Sequence, residues 1–147
     1  MKVAIPAKQW FGNLHSGYRR ESLGIVVEAR RRMVAAIYCC LLESLEMVER
    51  WDFETYSIQC KEDAESLRQG LDGILESFAE CKCDSLCIVV DRDQLELMRM
   101  AVVDTLRGLD GWEGELHART GLFVADGEAL VEQIAVIEAQ LMSGEGA

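Results

Sequence analysis

The sequence predicts a mainly α-helical protein, two αα-hairpins in a pseudo-repeat that form a four-helix unit, with a short two-stranded element allowed for. Three observations predict it. Four segments carry apolar residues at steps of three and four, the spacing that lays one stripe along a helix. A single proline and few Asn or Ser clusters leave little chain for long loops. The tripeptide Ile-Val-Val occurs at 25–27 and again at 88–90, each time ahead of a helical pattern. The 147 residues suit one domain with its own core. We place an N-terminal arm at 1–22 and a single helical domain at 23–143, with repeat 1 at about 25–80 and repeat 2 at about 88–143.

The arm carries Trp10, Phe11 and Tyr18 with Gly12 and Gly17 between them. Such aromatics pack back on a domain, anchor a partner or swap across a dimer. The opening residues lack the continuous apolar stretch of a secretory signal. The first helix follows from Val34, Ile37, Tyr38, Leu41, Leu42, Leu45 and Val48. Its apolar run "MVAAIYCCLL" is ten residues long, against about 20 for a membrane span, so it reads as a core helix. The expectation is a cytoplasmic chain away from membranes.

The second helix follows from Ala64, Leu67, Leu71, Ile74 and Phe78, with Asp63 and Glu65 expected in its first turn. After it come Cys81, Cys83 and Cys87. Three thiolates that close could hold zinc with His15, His117 or Cys60 as fourth ligand. The spacing C-x-C-x₃-C lacks the usual knuckle and no neighbouring His completes it, so we expect reduced free thiols, no metal and no cofactor. Cys39 and Cys40 fall within the first helix, where cysteine acts as a small hydrophobe.

"IVVDRDQLELM" at 88–98 poses the sharpest chemical question, since two aspartates follow an apolar run. Phosphatases of the haloacid dehalogenase type use such an Asp-x-Asp, but with a parallel sheet, a longer chain and a Thr or Val next. Here Gln94 and Leu95 follow, and the first copy has no acid at the place of Asp93. Asp91 or Asp93 is therefore expected to cap the third helix. That helix follows from Leu95, Met98, Val102, Leu106 and Leu109. "GLDGW" supplies a turn, and "RTG" reads as a short helical turn ended by a glycine able to take positive φ. Leu130, Ile134, Ile137 and Leu141 give the fourth helix, with Asp126 and Glu128 at its start.

The pseudo-repeat is legible beyond the IVV tripeptides. With a two-residue gap, Glu43-Ser44-Leu45 aligns with Asp104-Thr105-Leu106, Trp51 with Trp112 and Glu54 with Glu115. If both tripeptides are strands, they can pair with each other. Trp51 and Trp112 are expected to close the ends of the bundle, and an exposed Trp at either corner would point to an interface.

Charge narrows the function classes. The net charge is −11. Residues 1–36 hold seven Lys or Arg against two acids, and the remainder holds eight against twenty-four. Such a body repels nucleic acid and anionic membranes and attracts basic partners. Arg30, Arg31 and Arg32, with Arg19 and Arg20, are the best nucleic-acid candidates, but intramolecular pairing accounts for them equally well. His117 lies beside Glu115 and Arg119, yet no nucleophile motif or phosphate loop accompanies them, and no enzymatic activity is expected.

The stretch "DRDQLELMRMAVVDTLRGLDGWEGELHARTG" with "GEALVEQI" resembles small helical bacterial and phage-borne proteins, some of them similar to immunity proteins of polymorphic toxin systems. The resemblance covers mainly 88–141 and rests on a corner formed by Trp112, Glu115, Arg119 and Gly121. In the first copy Ile58 and Cys60 stand where Arg119 and Gly121 would fall. The resemblance implies a non-enzymatic, acidic, protein-binding inhibitor that neutralises a toxin through its basic surface. The alternatives are a phage or mobile-element protein that disables a host defence complex, and a homodimeric structural helical module. The acids expected to meet the partner are Glu43, Glu46, Glu49, Asp52 and Glu54 on the first helix and its corner, and Asp110, Glu113 and Glu115 on the second.

Overall fold

The computed structural model describes residues 2–6, 25–51, 58–82 and 84–145, and the side-chain surroundings of 26–46, 61–82 and 84–141. The chain is mainly helical with a short antiparallel sheet. Its elements run β1 (Lys2–Pro6), β2 (Ile25–Arg30), α1 (Arg31–Trp51), α2 (Ile58–Ser77), β3 (Ser85–Val90), α3 (Arg92–Gly108), α4 (Glu113–Thr120) and α5 (Val124–Glu145).

The sheet order is β1-β2-β3. β2 and β3 pair antiparallel with Ile25 opposite Val90, Val26 opposite Val89 and Val27 opposite Ile88, so the two IVV tripeptides face each other. β1 joins the other edge of β2, with a register shift between Val3 and Ile5. The arm expected at 1–22 thus contributes a strand at 2–6. Its apolar residues are too few for a periodic signal, and only the pairing with β2 gives them a structure.

Period-two alternation divides the sheet. Val27, Ala29, Leu86, Ile88 and Val90 join the helical core, whereas Val26 and Val89 form a separate buried pair. Strand leads into helix with no linker at one place and a single residue at the other. β2 ends at Arg30 and α1 begins at Arg31, while Asp91 alone separates β3 from α3. Asp91 forms a capping box: its Oδ1 accepts from the Gln94 N–H at 2.7 Å, and Gln94 Oε1 accepts from the Asp91 N–H at 3.0 Å. At the other junction the Arg31 N–H donates to the Asp84 carbonyl and its guanidinium to the Phe78 carbonyl, both at 2.6 Å.

α1 packs against α2 and α3, α3 packs against α5, and α4 rests on α1. The predicted stripes supply this core: Val34, Ile37 and Leu41; Ala64, Leu67, Leu71 and Ile74; Leu95, Met98 and Val102; Leu130, Ile134 and Ile137 are all buried. Among the described stripe residues Tyr38, Leu45, Leu106, Leu109 and Leu141 are half-buried and two are exposed, while the side chain of Val48 lies outside the described residues. Leu42 is 37% exposed, because it lies beside the buried face of α1, and Phe78 is 40% exposed, because α2 ends at Ser77. Asp63 and Glu65 lie beyond the first turn of α2, since the helix starts at Ile58; Glu65 instead accepts from Arg68, whose guanidinium sits 5.9 Å from the Tyr38 ring centroid. Gly127 is buried where a Cβ would come within 2.8 Å of a Leu106 methyl, which lets α5 start close against α3. Arg99 and Glu138 tie the same helices at 2.6 Å.

Polar groups mark the crossing of α1 and α3. Ser44 and Thr105 are both fully buried. Ser44 Oγ donates to Asp104 Oδ2 at 3.3 Å, and Thr105 Oγ1 lies 3.2 Å from the Cys40 carbonyl and 2.8 Å from the Ala101 carbonyl. Burial pushes the Cys40 thiol up to about 12, so it packs as a neutral small group. Burial likewise raises the Asp104 carboxyl, against the lowering effects of Ser44 and Arg107.

Two outcomes follow. Ile134→Ala should cost about 2–5 kcal/mol in urea unfolding and Val136→Ala, on the outward face, less than about 0.5 kcal/mol. The second concerns pH. Because the Asp104 carboxyl is raised in the folded chain, the folded state holds a proton that the unfolded state has released. Its contribution to stability is therefore greatest at low pH and falls as pH rises from the unfolded value, near 3.8, through the folded one. Asp104→Asn should remove that part of the slope, read as the difference between the two stability-versus-pH curves.

Candidate interaction surface

The corner between α3 and α5 holds three of the eight acids that the charge pattern singled out, Asp110, Glu113 and Glu115. α3 ends at Gly108, and Gly111, at φ 83°, turns the chain. α4 then runs for eight residues from Glu113 to Thr120 and stops at Gly121, which caps it at φ 77° in the left-handed region. Leu116 and Thr120 are the buried residues of α4 and hold it to the core. Thr120 Oγ1 donates to the Leu116 carbonyl at 2.7 Å and accepts from the Leu122 N–H at 3.1 Å, so the exit from α4 is pinned from within. Every other side chain on α4 faces outward.

Arg119 straps this corner to α1. Its Nη1 donates to Glu43 at 3.0 Å and its Nε to Glu115 at 2.9 Å. Glu43 corrects the expectation of an exposed acid. Its side chain is only 15% exposed and is committed to Arg119, because α4 lies over that part of α1. Glu115 is paired but open at 52%, while Glu46, Asp110 and Glu113 are exposed. The side chain of Glu49, and Asp52 and Glu54 altogether, lie outside the described residues, as does the side chain of Trp51.

Trp112 overturns the expectation of a bundle-closing residue. It sits at the N-cap of α4 and is 66% exposed, because Leu116 takes the inward place on this short helix. Phe123, just past α4, is 59% exposed and stacks on His117 with ring centroids 4.2 Å apart. Asp126 opens α5 and accepts from the Phe123 N–H at 3.3 Å. From Gly108 to Glu132 all six acids, Asp110, Glu113, Glu115, Asp126, Glu128 and Glu132, are exposed, and Arg119 is the one Lys or Arg. The surface therefore offers desolvatable aromatic area within a field of carboxylates. Sequence reasoning assigned Asp110, Glu113 and Glu115 to this surface, read Asp126 and Glu128 only as acids at a helix start, and missed Glu132 and the exposure of Trp112 and Phe123. The shortness of α4 was the available signal, since one helical turn or two can bury few side chains.

The remaining candidates take different places. Arg30 and Arg32 are exposed, and Arg31 is half-buried against the Phe78 carbonyl. Cys81 is disulfide-bonded, which corrects the expectation of an entirely reduced cysteine set; Cys39, Cys40 and Cys87 are free. Cys83 lies outside the described residues. Among the described residues there is no group of three or more His, Cys, Asp or Glu placed to hold a metal ion, and no helix long and apolar enough to cross a membrane. Comparison with protein-family models, curated proteins and solved structures returned no match.

Arg119→Ala should free α4 from α1. The expected outcome is faster amide hydrogen exchange at 113–120 with little change in exchange across β2 and β3.

Proposed function

We propose that the chain is a non-enzymatic protein-binding inhibitor of the immunity type, which neutralises a toxin by covering its basic surface. Trp112 carries the reading: a large aromatic side chain, 66% exposed, sits among the exposed carboxylates of Asp110, Glu113 and Glu115. Exposed Trp is costly to leave in water and typical of interface anchors. The surrounding acids would steer a basic partner and fix its orientation. Glu46 extends the acidic surface on α1, whereas Glu43 serves by holding Arg119 and with it α4.

The proposal includes the internal duplication, with α1–α2 and α3–α5 as the two αα-hairpins of a four-helix unit and α4 as an addition to the second. Its support is the IVV-against-IVV register and the placement of Ser44 and Thr105, aligned in sequence, at the same helix crossing. An immunity role in the cytoplasm and an anti-defence role on a mobile element use the same surface and differ in target.

The test is affinity capture with the full chain from its native cell. One basic partner should be recovered, with capture weakened by at least about tenfold between roughly 0.05 and 0.5 M salt. Trp112→Ala should weaken it by at least about tenfold more, the loss of a central anchor. Recovery of a defence complex would redirect the target. Recovery of the chain alone as a dimer, or capture indifferent to salt and to Trp112, would overturn the reading.

A further inference from the structure

We draw no further inference here: the strongest candidate, the cluster of Arg30, Arg31 and Arg32 at the start of α1, rests on a helix N-terminus whose half-buried Arg31 guanidinium already donates to the Phe78 carbonyl, and nothing in the structure points to an anion there.

Discussion

The antiparallel pairing of Ile25–Val27 with Ile88–Val90 is the constraint on which the rest depends. Each strand runs into its helix with no linker or a single residue, so the register of six residues fixes where α1 and α3 begin. The pairing joins positions about sixty residues apart, and the entropy of closing that loop has to be offset by burial. Val27, Ile88 and Val90 enter the helical core, and Val26 and Val89 bury each other on the opposite face. A shift by one residue would exchange these two sets and expose most of the apolar surface of the sheet.

Once α1 and α3 are placed, small polar groups adjust their crossing. Ser44 and Thr105 permit close approach and each finds an acceptor on or beside the other helix. Ser44 holds the half-buried Asp104, and Cys40 remains a neutral thiol in the same region. A purely apolar seam would contribute more burial, but hydrogen bonds at fixed atoms favour one rotation of α1 against α3 over its neighbours. Outside this seam α2 lies against α1 and α5 against α3, with Gly127 and the Arg99–Glu138 pair setting the second contact.

The acidic surface is a consequence of the same geometry. α4 is too short to bury more than Leu116 and Thr120, so Trp112 and most of its charged residues are turned out. Arg119 spends its charge on Glu43 and Glu115, which leaves Asp110 and Glu113 without an ion pair among the described residues. The cation placed to neutralise the corner instead fastens it to the domain. The result is a patch, fastened to α1 through Arg119, in which aromatic area and negative charge lie together. Such a combination favours fast encounter through charge and slow release through desolvated rings.

The sequence by itself determined the helical class, the four main stripes, an aspartate cap on the third helix at 91 or 93, the glycine stop at Gly121 and the uneven charge. All of these are local in cause: a stripe needs only a period, a cap only the residues of one turn, and net charge no geometry at all. It could not determine β1, whose five residues become a strand only by pairing with β2. Nor could it tell that Trp112 lies open while its neighbour Leu116 is buried, or that Glu43 is claimed by Arg119 seventy-six positions away. Val136 lies on a strongly apolar helix, and an apolar residue on such a helix reads as core until its neighbours are known. Exposure is a property of how elements pack, and here the tertiary structure decided it by packing Leu130, Ile134 and Ile137 of α5 into the core and leaving Val136 53% exposed.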